Sequence, residues 1–314
     1  RGVYVHDVCQ IPYLQEIEQI FEIRDPYWHW MANICPNSPL KIDKVVSERF
    51  LYMVKSGIYP CKLAAMPVAG VNVPVTVAGM TIIIAAEFIA LWFAARLLQG
   101  KKIPLVGLPV LGTMDIKTGA VSFSGFDVAI RRFTVCEFLR KWADIQLAPG
   151  PGEWAPTKEP GMYCTLEKAY FAMMAAAFTG HHPEIGIGHI DSGLAMSGVQ
   201  FLLDYEFTNG LKQLEFRSVT DEQLCLDGIF DIGFGFKKNF MEDNYALAHL
   251  RSDLWMPQIF CRNGWSEQNE KEVRANALKK IDELKKSYVK PAGREDKLAK
   301  ARQVVERAKK ALCK

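Results

Sequence analysis

The sequence has no CxxC pair, and its eight cysteines, at positions 9, 35, 61, 136, 164, 225, 261 and 313, are scattered through hydrophobic segments. Thiols spaced in that way are expected to be reduced in a cytoplasmic protein, and no His/Cys/Asp spacing resembles a zinc site. An apolar h-region is missing near the start, so no signal peptide is expected. A dinucleotide fingerprint is missing too: GIGHIDSG (186–193) is a weak, wrongly spaced imitation of GxGxxG, and no early strand leads into one. No serine or cysteine elbow offers a protein nucleophile. The net charge of +3 is too small to argue for nucleic acid. Residues 1–265 carry 23 Lys/Arg against 27 Asp/Glu, whereas 266–314 carry 15 against 8, so the positive excess lies in the tail. With 49% hydrophobic and 23% charged residues the composition is globular, and 314 residues allow one large domain or two ordinary ones. The chain opens at Arg1 in mid-pattern, and the expectation is a fragment lacking its natural N-terminus.

One long apolar run is present. AAMPVAGVNVPVTVAGMTIIIAAEFIALWFAARLL (64–98) has a single charge, Glu87, before Arg96. About 18 or more such residues are the usual signal for a membrane span. Against that reading, Pro67 and Pro74, with Gly70, Asn72 and Gly79, break the first half, and Glu87 would be costly in lipid. Split at those breakers, the stretch reads as a short strand over 61–67, a small-residue loop, and a buried helix over 76–98. The soluble interior is favoured over the span.

From 12 to 21 the apolar spacing is helical, and YWHWMANICP (27–36) reads as a strand. Residues 38–57 read as a helix with Ser38 as cap, Pro39 at its first position and Gly57 at its end. A cycle then recurs. Run 61–67 precedes the 76–98 helix, 103–110 precedes a helix over 126–142, and 144–149 precedes one over 165–178. Run 184–190 precedes a helix over 198–214, and 226–233 precedes helical material around 244–254. Apolar runs alternating with helices roughly 40 residues apart indicate parallel βα units. The predicted class is α/β, a (β/α)8 TIM barrel lacking its first strands, with active-site loops where the strands run into Gly, Pro, Asp and His. Residues 1–265 are expected to form the partial barrel. Residues 266–314 read as a helical extension, broken by KPAG (290–293).

Five strings bear a resemblance: NSPLKID (37–43), KLAAMPVAGVNVPVTVAG (62–79), GTMDIKTGAVSFSGFD (112–127), GHIDSGLAMSGVQFLLDYE (188–206) and LRSDLWMPQIFCRNGW (250–265). In order and spacing the chain resembles the trimethylamine/glycine betaine methyltransferase family over 37–291. The resemblance implies a TIM barrel holding a small methylated amine beneath the cobalt of a separate corrinoid protein, so that the cobalamin is carried by a partner. It further implies an upstream segment that completes the barrel and a cytoplasmic location; a homo-oligomer is compatible with it, and neither nucleic acid nor a membrane is expected as partner. Every letter is a standard amino acid, which favours the branch without pyrrolysine, acting on quaternary amines such as glycine betaine, over the trimethylamine branch. Two segments depart from the family pattern, EWAPTKEPGMYC (153–164) and GFGFKKNF (233–240), both on the expected substrate or corrinoid face. They motivate a competing reading, a non-catalytic scaffold that docks a corrinoid protein.

A quaternary nitrogen has neither proton nor lone pair, so aromatic faces and carboxylates must hold it. The rest of the task is positioning in a water-poor pocket. His189 closes EIGIGHI, where a barrel places catalytic side chains, and is the candidate for the carboxylate of a betaine or the departing amine; the alternative is a core histidine. Asp191 follows in the DSG turn as the second catalytic candidate. Asp115, Phe123, Trp154 and Tyr163, with Phe126 beside them, are candidates for holding the cation. Gly70, Asn72 and Ser192 are candidates for the corrinoid side. The plainer alternatives are loop capping by an Asx-turn for Asp191 and Ser192, capping of the next segment for Asp115, packing for the aromatics, and loop shaping for Gly70 and Asn72. Glu87 is expected to be paired inside the barrel shell, and His181 and His182 to lie at the surface rather than to bind metal.

Overall fold

An apolar run becomes a strand only where a neighbouring backbone completes its hydrogen bonds, and in this chain that neighbour exists mainly around Leu63. A computed structural model describes residues 5–24, 34–56, 62–150, 152, 154–214, 220, 226–236, 239–262, 264 and 269–313. The first helices are α1 (Ile11–Phe21) and α2 (Lys44–Lys55). Strand β1 (Lys62–Ala65) pairs in parallel with β3 (Val106–Pro109), and Ile34 bridges in parallel to Leu63. Farther along, the same two segments pair again as β2 (Val68–Ala69) and β4 (Gly112–Met114), in parallel. Strand β5 (Val121–Ser122) then folds back antiparallel on β4. The carboxyl ends of this parallel ladder therefore carry the 70–76 loop and the 115–120 turn.

Between β2 and β3 runs α3 (Val77–Gln99), capped by Thr76, whose side chain accepts from Gly79 N–H, and ended by Gly100 in the left-handed conformation. Helix α4 (Phe126–Ala143) packs on α3, and α5 (Met162–Thr179) on α4. A hairpin of β6 (His189–Ile190) and β7 (Ala195–Met196) leads into α6 (Gly198–Leu211). Helices α7 (Leu226–Asp231), α8 (Asn244–Asp253), α9 (Asn269–Ser287) and α10 (Glu295–Leu312) follow. The chain is mixed α/β and mostly helical. Its largest core joins Phe50 and Met53 of α2, Leu63 and Ala65 of β1, and Met80, Ile84 and Phe88 of α3.

Several sequence expectations are corrected. The expected 38–57 helix starts only at Lys44, because Asp43 is the residue whose carboxylate accepts a helical N–H, that of Val46, while the Ser38 hydroxyl donates to Glu87. Segment 226–233 is not a strand; it forms α7, whose Leu226 and Phe230 are exposed and which has no strand beside it among the described residues. Segment 144–149 is irregular, with its Pro149 carbonyl taken by the Arg132 guanidinium instead of a ladder partner. In 184–190 only the last two residues are strand, and they pair antiparallel. Residues 27–33 of the expected 27–36 strand lie outside the described residues.

Helix α3 is long and apolar enough to cross a membrane by length and composition alone. Its charge explains its place in the fold. Glu87 is 3% exposed and accepts from Leu40 N–H (2.8 Å) and Ser38 Oγ (3.0 Å), so among the described residues it is paired with polar groups rather than with a cation. The expected result for Glu87→Leu is a loss of about 1–3 kcal/mol, the net worth of two part-buried hydrogen bonds to a buried carboxylate. Urea unfolding measures it; a midpoint equal to wild type would show that 38–40 rehydrates freely.

The charged tail packs on the body. Val273 and Ala277 of α9 are buried with Leu202 and Leu203 of α6 and with Ile259, and α10 lies along α1 with Arg307 Nη2 and Glu16 Oε1 at 2.6 Å.

Candidate functional site

The turn after β6 depends on backbone conformations that few side chains adopt. Gly188 has φ +84°, a conformation that favours glycine, and a Cβ added there would also crowd Phe201 Cβ at 3.3 Å. Asp191 and Ser192 follow at φ 51° and 55°. Left-handed conformations of that kind cost a non-glycine residue about 1–3 kcal/mol and cluster at functional sites.

Hydrogen bonds hold this strained turn from two sides. Asp191 N–H donates to the Thr157 carbonyl (2.8 Å) and Ser192 N–H to the Ala155 carbonyl (2.9 Å), which lays 155–157 along the turn. Ser192 Oγ donates to the Val121 carbonyl of β5 at 3.1 Å. Phe123 and Trp154 then meet edge to face, with ring centroids 5.7 Å apart at 76°. Gly193 lies against the indole: a Cβ added there would be 3.1 Å from Trp154 Cδ1. The segment bearing Phe123 is fixed from behind. Buried Arg132 of α4 donates to the Phe123 carbonyl at 2.7 Å and to the Pro149 carbonyl at 3.2 Å, and the Tyr170 hydroxyl of α5 donates to the Ser124 carbonyl.

The structure thus brings Phe123, Trp154, Asp191 and Ser192 together, with His189 two residues from Asp191 on the same turn. His189 is half-buried, and its Nδ1 is buried without a hydrogen-bond partner among the described residues. Burial, and after it the Lys168 charge, hold the imidazole below its usual pKa against the opposing pull of Asp204. Its carbonyl accepts a weak bond from Cys164 Sγ at 3.9 Å; burial pushes that thiol up to about 11, so it remains a neutral donor.

Other candidates lie apart. Asp115 is exposed and caps its own turn: Oδ1 accepts from Lys117 N–H, the main reason its pKa is lowered, and Oδ2 accepts from Thr118 Oγ1. Tyr163 is exposed and lines a groove of about 440 Å³ between 157–163 and α9. Phe126 is exposed and stacks on Tyr170, with centroids 4.5 Å apart. Gly70, at φ +79°, and Asn72, whose Oδ1 accepts from Val68 N–H at 2.7 Å, shape a tight turn after β2. His181 is exposed, and His182 Nε2 donates to the Leu211 carbonyl at 3.0 Å.

Sequence reading missed the polar layer behind the turn. Lys168 of α5 and Asp204 of α6 form an ion pair whose side chains are wholly buried. Glu167, raised in pKa mainly by burial, accepts from Thr157 Oγ1 at 2.8 Å. The available signal was a lysine immediately before the apolar helix sequence AYFAMMAAAF and an aspartate in FLLDYEF, each ordinary by itself.

Fold and site define an α/β domain whose strand-end loops gather aromatic rings around a strained DSG turn. The sequence model of the family described as "Trimethylamine methyltransferase (MTTB)" matches residues 16–313, and the chain belongs to that family. It is similar to the trimethylamine methyltransferase MttB of Desulfitobacterium hafniense, at 23% identity over 283 residues, which cover 88% of this chain and 55% of that protein. Trimethylamine methyltransferase MttB1 of Methanosarcina mazei matches at 24% identity over 283 residues, with the same two coverages. The chain spans about half the length of the curated relatives it matches.

Proposed function

We propose that this chain is part of a methyltransferase that moves a methyl group from a small methylated amine, of the glycine betaine type, to the Co(I) of a corrinoid held by a partner protein. The observation that carries the reading is membership of the family over 16–313. The chain would contribute a run of units to a (β/α)8 barrel, a proposal supported by the parallel ladder through Ile34, β1 and β3 with α2 and α3 connecting its segments. Residues 1–265 would form the barrel part and 266–314 a helical extension without catalytic groups. A soluble, cytoplasmic location is proposed for the whole, with α3 as a wall of the fold.

In this reading Phe123 and Trp154 supply the aromatic faces that hold an alkylammonium. His189, half-buried beside the turn, donates to the carboxylate of a betaine, and Asp191 adds negative charge near the cation. Of the residues proposed for the corrinoid side, Gly70 is exposed and has beside it Val71 and Val75, 58% and 64% exposed, which would suit an apolar, planar group. Asn72 and Ser192, by contrast, are bonded to a backbone amide and a backbone carbonyl respectively. Corrinoid cobalt supplies the nucleophile. The protein's own part is to exclude water and align the methyl group. The relatives' names favour trimethylamine as the competing substrate.

The test is methyl transfer to cob(I)alamin from glycine betaine and from trimethylamine by the whole methyltransferase of which this chain is part, with Trp154→Ala beside wild type. Glycine betaine is the expected donor. Transfer from trimethylamine alone would shift the substrate to that of the named relatives, and transfer from neither would contradict the activity. Trp154→Ala should weaken binding of the quaternary amine by about 1–2 kcal/mol, roughly fivefold to thirtyfold. Unchanged affinity would remove the indole from the cation site.

A further inference from the structure

We propose that Lys168 and Asp204 are positioning residues for His189: their buried contact fixes Gly188 and so aims the imidazole that follows it. The proposal rests on reading His189 as a substrate-facing residue. Lys168 Nζ donates to Asp204 Oδ2 at 2.5 Å, and Gly188 N–H donates to the same oxygen at 2.8 Å. Gln200 Nε2 donates to Asp204 Oδ1 at 2.6 Å and to Thr165 Oγ1 at 2.9 Å, which fixes the carboxylate from its other side. The Gly188 carbonyl accepts from Ser197 N–H at 3.0 Å, and the His189 carbonyl faces Cys164 Sγ. Residues 188 and 189 are therefore held at three backbone atoms, while the ring nitrogen Nδ1 keeps no protein partner among the described residues.

A buried ion pair gives a fold little net stability, because desolvation of two charges offsets their attraction and an apolar pair of similar volume serves as well. A buried pair that holds the residue before His189, whose Nδ1 has no partner among the described residues, is better explained by the site it supports than by the core. The charges that act on the ring are Lys168 of α5, which disfavours the imidazolium, and Asp204 of α6, which favours it. Asp191 follows on the ring's own turn, and Glu167 of α5 is engaged by Thr157.

The test is the NMR titration of His189 in the substrate-free protein, comparing wild type with Lys168→Met and Asp204→Asn. The expected midpoint rises in Lys168→Met, where a repelling charge is lost, and falls in Asp204→Asn, where an attracting one is lost. Opposite shifts show that both charges act on the ring, and shifts of the same sign in folded variants overturn the proposal; positioning is tested by the double variant Lys168→Met/Asp204→Leu, which leaves no buried charge. Its Gly188 amide, deprived of an acceptor, should exchange with deuterated water about tenfold faster than in wild type or more. Unchanged protection overturns the proposal. Absence of methyl transfer in the wild-type protein would remove the role given to His189 and leave both of these measurements valid.

Discussion

Lys168→Met is expected to lower folding stability by about 3–5 kcal/mol, since removing one partner of a buried pair leaves the other charge uncompensated. That is a large share of the roughly 5–15 kcal/mol available to a typical domain. The geometry leaves little room for relief. Both side chains are wholly buried, and Asp204, whose carboxyl is pushed up by burial and pulled down by Lys168, also serves as acceptor for Gly188 and Gln200. The abandoned carboxylate would have to take up a proton or admit water between α5 and α6. Adding Asp204→Leu should recover most of the loss, because the double variant buries no charge. Denaturant midpoints for wild type, single and double variants test this; a single variant as stable as wild type would mean that water already reaches the pair.

His189→Ala should reduce kcat/KM for glycine betaine by roughly fivefold to more than a hundredfold, the effect of leaving a buried ligand group poorly paired at a cost of about 1–3 kcal/mol. The same variant has a signature in stability. In the folded protein the imidazole is held below its ordinary value of 6.5, mainly by burial. The unfolded chain therefore binds that proton more readily, so the ring's contribution is fully present above pH 6.5 and is lost as pH falls through the folded value. His189→Ala should flatten the stability profile in that window and leave it unchanged above. Equal rates for the two proteins would remove His189 from the site, and a much lower melting temperature at every pH would make it a structural histidine.

Much of the helical framework was legible in local signals. Thr76 before an apolar helix and Gly100 after it bracket α3, and the expected 76–98 helix is found at Val77–Gln99. The 126–142 helix is found at Phe126–Ala143. These boundaries depend on residues within a turn of each other, which sequence displays directly. Strands were less legible, because their partners are distant in sequence. Within the run 61–67, residues 62–65 find one in 106–109, whereas 226–233, equally apolar, finds none among the described residues and becomes a helix turn.

The candidate site divides in the same way. The sequence by itself determined the DSG turn, the aromatic residues at positions 123 and 154, and family membership, because these are matters of residue type and order. Tertiary structure alone decided that Phe123 and Trp154 touch while Asp115 turns back on its own backbone. It decided that Glu87, on a helix apolar enough to span a membrane, faces inward to hold 38–40. It also decided that a lysine and an aspartate 36 residues apart form one buried pair behind His189. Charge pairing and burial are properties of surfaces that meet only after α5 packs on α6, and no local pattern of residues encodes which surfaces those are.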